Sequence, residues 1–196
     1  MTRDVARTRK LLLDAARAEF AEYGVAGARV DRIAANAGVN KQRIYGHFGN
    51  KEELFGVVLT QAMTELAEKV RPGTGSVGEY VGRVFDYHRE DPTLLRLLMH
   101  EALSYRDGLV EQNPARSKWY TGACEALEES SGCSAEEAGH LLLTLIGLGA
   151  WASAMPQLTR LALGPDAQGD RVQGELRDFV VAFAERGAGA GPGAGR

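Results

Sequence analysis

Apolar residues recur at helical spacing along almost the whole chain. Leu12, Ala15, Ala16, Phe20 and Tyr23, with Glu19 among them, follow the i, i+3/i+4 rule of one helix face, and Gly24 closes the run. Asp31 to Ala37 reads as a short helix ended by Gly38, and Lys41 to His47 as a second. Asn50 is a good N-cap, with Glu52 and Glu53 in the acidic first turn that helices favour, for a long helix to about Val70. Arg71-Pro72-Gly73-Thr74-Gly75 breaks it. Ser76 with Glu79, and Ser134 with Glu137, are capping boxes that open two further helices. Asp91-Pro92 and Asn113-Pro114 each put an N-cap before a proline at the first helical position. The helix after Ser134 is apolar on nearly all sides and runs to about Met155, where Pro156 kinks or ends it. A turn at Gly164-Pro165 precedes a last amphipathic helix over 169–185. Residues 187–196 are almost all Gly, Ala and Pro and are expected to be a disordered tail. No stretch alternates with period two long enough for a sheet, so the pattern predicts an all-α chain.

The two short helices, joined by Ala37-Gly38-Val39-Asn40, form a helix-turn-helix over about 29–48. Gly38 can take the positive φ of the tight turn, and Ile33, Ala34 and Val39 are small enough for close packing. Asn40 caps the second helix, whose first turn shows Lys41, Gln42 and Arg43 in a row. In the major groove Arg pairs with guanine, Gln with adenine, and Lys with phosphate or guanine. Tyr45 and His47 carry polar tips suited to phosphate oxygens. Lys51 adds a cation beside the free N–H groups at a helix start, a ready phosphate site. Arg3, Arg7 and Arg9 read equally as an arm into the minor groove or as a solvated charge run. Gly46 sits inside the second helix. It either permits close approach to the DNA backbone or loosens the helix end before Phe48, and its low helix propensity favours the second.

Leu12-Leu13-Asp14-Ala15-Ala16, then Phe20, Gly24, Ile33-Ala34, Ala37-Gly38-Val39, Tyr45, His47-Phe48, Lys51 and Leu54 together resemble the TetR family of bacterial regulators. The likeness spans about Arg7 to Thr60. It implies a homodimer with an N-terminal DNA-binding domain on each protomer and a C-terminal domain that binds a small effector. Most members repress transcription until the effector releases them. Ala28-Arg29 stand where the family usually has Ser or Thr entering the second helix. The side-chain cap is lost there, at about 1 kcal/mol, while Arg29 still reaches a phosphate by charge.

The formal net charge of −3 points away from nucleic acid until it is divided along the chain. Residues 1–51 carry ten Lys/Arg against five Asp/Glu, or +5, and the rest carries −8. A basic reader on an acidic body fits a chain that touches phosphates at one end. Composition, 44% hydrophobic and 25% charged, is that of a globular protein. Two cysteines, 124 and 133, read as ordinary thiols of a reducing compartment. No signal peptide precedes the first helix, and the dense apolar run from Leu141 to Met155 is short for a bilayer span, so a cytoplasmic protein without a membrane segment is expected. Gly73 to Gly78 matches GxGxxG but lacks the strand before it that dinucleotide binding needs. The four histidines lack metal-site spacing, and no nucleophile or P-loop signature appears. No cofactor, metal or enzymatic activity is expected.

The expected organisation is a three-helix DNA-binding domain over 1–51 and a helical effector-binding and dimerisation domain over 52–186. Candidate effector contacts are Met63, Phe85, His88, Met99, Leu103, Trp119, Tyr120 and Trp151, large or polarisable groups with few cations among them, which suits a largely apolar ligand. Following the family, the last two long helices pair with their mates in a four-helix bundle, through Leu145, Ala150, Ala154, Leu176, Phe179 and Phe183. The function expected is repression from a palindromic operator, relieved by the effector. The alternative is a DNA-binding regulator, activating or controlled by a protein partner, without a small-molecule effector.

Overall fold

A computed structural model describes residues 2–105 and 114–189. They form ten α-helices and no strand: α1 (Thr2–Gly27), α2 (Val30–Ala37), α3 (Lys41–Phe48), α4 (Lys51–Lys69), α5 (Val77–Glu90), α6 (Thr93–Ser104), α7 (Pro114–Ser131), α8 (Ala135–Ala154), α9 (Pro156–Leu163) and α10 (Asp170–Gly189). The local signals set the boundaries. Asn40 accepts from the Gln42 N–H at 2.9 Å and Asn50 from Glu53 at 2.7 Å. Both capping boxes close in both directions. Gly38 ends α2 in the left-handed conformation. Gly24 takes φ 65° and ψ 179°, which breaks α1 three residues before its end.

Two expectations change. The chain is helical from Thr2, so the basic residues at the N-terminus ride on α1 and do not form an extended arm. Residues 187–189 continue α10; the rest of the expected tail, like Asn113, lies outside the described residues. At Pro156, as expected, the α8 helix has ended, and a separate helix, α9, starts there, bent 83° from α8. The Thr159 hydroxyl ties this bend by donating to the carbonyls of Ala152 and Met155, both at 3.1 Å. No single described helix is long and apolar enough to cross a membrane.

The chain divides into two compact units. One holds α1–α3, most of α4, and α6. Its core takes a residue from each helix: Leu12, Phe20, Ile33, Ile44, Leu54, Phe55, Leu94 and Leu97 are all fully buried. Phe20 meets Phe55 edge to face at 5.2 Å, a favourable ring geometry. Helix α6 packs along α1, with Arg96 paired to Glu22 at 3.0 Å and the His100 ring filling the space where Gly24 lacks a side chain.

The other unit holds the end of α4, α5 and α7–α10. Helix α5 is its centre, packed against both α8 and α10. Gly78 and Gly82 leave room for side chains of α10: a Cβ on Gly78 would meet the Glu185 carboxylate at 2.6 Å, and one on Gly82 would meet the Arg177 guanidinium at 2.8 Å. Ser76 and the Gly78 N–H both donate to Glu185, Arg177 grips Asp86 through two nitrogens at 2.7–2.9 Å, and Arg89 pairs with Asp170. The glycines of the failed dinucleotide match therefore have structural work. Gly73 and Gly75 turn at positive φ, Gly73 lies against the Ala126 carbonyl, and Gly78 leaves room for Glu185. On the α8 side Gly149 lies against Val84 and the Val81 carbonyl.

A Cβ at Gly149 would stand 2.7 Å from Val84 and 3.0 Å from that carbonyl. Gly149→Ala is therefore expected to lower unfolding stability by about 1–3 kcal/mol in chemical denaturation. Gly122→Ala on α7, where a Cβ meets open space, is expected to raise it by up to about 1 kcal/mol.

Candidate nucleic-acid interface

Helix α3 is anchored from behind by Ile44 and Phe48, both buried, while Lys41, Gln42, Arg43, Tyr45, Gly46 and His47 are all exposed. The Arg9 guanidinium stands 5.4 Å from the centre of the Phe48 ring, and the His47 ring tilts against the same residue at 6.0 Å. The far end of α3 is thus tied to α1 by an apolar and cation–π contact. Gly49 caps it with its N–H on the Tyr45 carbonyl at 3.0 Å.

The expected contact residues sit in different electrostatic settings. Arg43 and Gln42 point from the first turn with no side-chain partner among the described residues, free to meet a ligand. Lys41 is held by Asp31 of α2 at 2.8 Å, and that hydrogen bond raises its pKa. Its charge is shared with the carboxylate, which suits it less to the guanine role than Arg43. Lys51 is half-buried and reaches the Ala28 carbonyl at 3.5 Å, beside the start of α4. Arg29 is exposed at the entry to α2. Tyr45 is 47% exposed, so its hydroxyl is available on the surface and the ring is not a core residue.

One residue that positions this surface was not singled out in the sequence. Glu19 of α1 is only 4% exposed. Its carboxylate accepts from the Arg29 backbone N–H at 2.8 Å and from Arg32 at 2.6–3.1 Å. The Arg32 guanidinium also lies 4.3 Å from the centre of the Tyr23 ring. At the entry to α2, where Arg29 makes no side-chain cap, Glu19 supplies an acceptor from another helix. The signal in the sequence was an acid within the apolar stripe of α1, since a carboxylate on a core-facing position needs a buried partner. Burial pushes the Glu19 pKa up, but the hydrogen bonds from Arg32 and Arg29 outweigh it and hold the group below the usual carboxylate value.

The expected effector residues are divided between the two units. Met63, Met99 and Leu103 belong to the first unit, and Phe85, His88, Trp119, Tyr120 and Trp151 to the second. Leu103 is 83% exposed and Trp151 57% exposed, so neither lines an interior of the protomer. Phe85 and His88 are buried. Burial lowers the His88 pKa to about 4, and its Nδ1 has no hydrogen-bond partner among the described residues. Trp119 and Tyr120 are half-buried and meet edge to face at 4.8 Å. None of the eight lines the open groove of about 810 Å³ between the α7–α8 turn, α8 and the end of α10, which includes Cys133, His140, Leu141, Leu148 and Phe183.

The residues expected at a dimer face differ in their exposure within the single chain. Leu145 and Ala150 are buried inside the protomer, whereas Leu143 and Trp151 of α8 are exposed. Ala154 and Leu176 are half-buried, and Phe179 and Phe183 are exposed and stacked at 6.4 Å. Helix α8 is apolar all round, so its periodicity could not say which side faces inward.

Residues 12–58 match the family model of the bacterial regulatory proteins of the tetR family, and residues 76–186 match a tetracyclin repressor-like C-terminal domain. The chain is 37% identical to the HTH-type transcriptional repressor SCO4008 of Streptomyces coelicolor, over 94% of this chain and 96% of that one. It belongs to the TetR family. It is also 33% identical to the transcriptional repressor NicS of Pseudomonas putida, over about half of each chain. Among solved structures it resembles a Streptomyces coelicolor protein described as a transcriptional regulator, SCO4942, with a TM-score of 0.74 at 26% identity, covering 91% of this chain and 97% of that one. The fatty acid degradation regulator FadR of Bacillus halodurans shares the fold, with a TM-score of 0.64 at 21% identity, covering 88% and 97%. As a TetR-family protein the chain is a DNA-binding transcriptional regulator, and α2–α3 is its helix-turn-helix.

The lowered pKa of Glu19 gives its pairing a pH signature. Its stabilisation is complete above the unfolded carboxylate pKa of about 4.3 and is lost as pH falls through the lower folded value. Glu19→Gln is expected to reduce stability at neutral pH and to flatten that part of the acid limb in a stability-versus-pH series. An unchanged acid limb would remove Glu19 from this role.

Proposed function

We propose that this protein is a repressor that binds a palindromic operator as a homodimer in the cytoplasm and leaves it when a small, largely apolar effector binds. The observation that carries the DNA-reading part is the outward face of α3. Arg43 and Gln42, the two side chains suited to bidentate base contacts, are exposed and unpartnered there, while Ile44 and Phe48 fix the helix from behind. Tyr45, His47, Lys51 and Arg29 then serve phosphates and set the register. Lys41, shared with Asp31, is assigned to phosphate.

The dimer reading is supported by the exposed apolar residues of the second unit. Leu143, Trp151, Phe179 and Phe183 are 50–73% exposed, which is costly for four large side chains in water and is relieved by a second copy. Two copies also supply two reading helices for two half-sites. The effector reading is supported by the kinship to the repressors and by His88, neutral at physiological pH and buried with an unpartnered Nδ1. A ligand with one polar group would give that nitrogen a partner.

Arg43→Ala is expected to cost about 1–3 kcal/mol on the operator and to relax the preference at one base pair, measured by titration against operator variants. Equal loss on random duplex would make Arg43 a phosphate contact instead. Light scattering on the intact protein is expected to give twice the 21.1 kDa chain mass, and Phe179→Glu with Phe183→Glu to give the single-chain mass. A wild-type monomer at micromolar concentration would overturn the dimer reading.

A further inference from the structure

Gly46 is a glycine that nothing among the described residues requires. It lies inside α3, which stays helical to Phe48, so it does not loosen the helix end. It is not among the glycines with positive φ. A Cβ built on it would meet nothing within 4 Å. Helix propensity alone favours almost any other residue except proline.

Its position explains the choice. Ile44 and Phe48 mark the inward side of α3. At helical spacing Gly46 falls opposite the midpoint of those two, so it is the outermost point of the exposed face. Gln42 and Arg43 flank the same line one turn earlier. The part of the reading helix that leads into a groove is therefore bare backbone. A helix with its side chains is about as wide as the major groove, so a side chain at the leading point limits how far the helix enters. Gln42 has a shorter reach than Arg43 and gains most from a deep approach.

We infer that Gly46 is where α3 meets the base edges on the floor of the major groove, and that its missing side chain sets the depth at which Gln42 and Arg43 read. Gly46 is thus a specificity-determining position through its absence of bulk. The inference rests on the DNA-reading function proposed above.

The test is Gly46→Ala, assayed twice on the full-length protein. Thermal unfolding is expected to shift upward by about 2–4 °C, because the new methyl group enters open space on a helix. Affinity for the operator duplex enriched by the wild type is expected to fall at least about tenfold, while affinity for a random duplex changes less than about twofold. A more stable variant that binds the operator as tightly as wild type overturns the role of Gly46 and leaves the DNA-reading function intact. A variant with a lowered midpoint shows that the fold itself needs the glycine, and also overturns it. Equal loss on both duplexes would place Gly46 against phosphates and overturn the groove-floor contact. If the wild type enriches no duplex, the DNA-reading function fails, and this inference with it.

Discussion

The carboxylate of Glu19 lies on a helix face that is otherwise apolar, with its oxygens on the Arg32 guanidinium and the Arg29 N–H. A buried anion cannot remain without such partners, so α2 must begin at one place and in one orientation against α1. The rest of the reading head follows from that constraint. Gly38 turns the chain in the left-handed region, Asn40 starts α3, and the burial of Ile44 and Phe48 leaves Gln42, Arg43 and Gly46 as the outward surface. Arg9 against Phe48 and Asp31 against Lys41 then fasten both ends of α3 to earlier helices.

The same economy of space recurs in the second unit with different chemistry. There the missing side chain of Gly149 lets α8 approach α5, those of Gly78 and Gly82 leave room for Glu185 and Arg177, and charged pairs lock the register along α5 and α10. The two kinds of glycine are distinguishable by what a Cβ would meet. At Gly149 it meets a neighbouring backbone, and at Gly46 it meets open space. The first is explained by the fold. The second has its explanation in something the helix face meets.

Helix ends were legible because they are set by local hydrogen bonds. Asn40, Asn50, Ser76 and Ser134 each do in the structure what their spacing predicts. The DNA-reading helix was legible for the same reason, since a capped short helix after a glycine turn fixes which residues open it. The faces of α8 were not, because an apolar residue on every side carries no direction. Leu145 and Ala150 thus turned inward, and Leu143 and Trp151 outward. The packing of α6 along α1 was not legible either, as it depends on distant contacts such as that between His100 and Gly24. Glu19 was visible as an anomaly of charge in an apolar stripe, but its partner Arg32 comes from across a helix boundary.

The division of charge, +5 over the first 51 residues and −8 beyond, matches a molecule that offers DNA only its reading heads. The proposed dimer, with two such heads, demands symmetry of its target. The most direct measurement is selection of bound duplexes from a random pool by the wild-type protein. The account predicts enrichment of an inverted repeat whose half-sites lie about one helical turn apart. Enrichment of a lone half-site, or of no sequence at all, would contradict it.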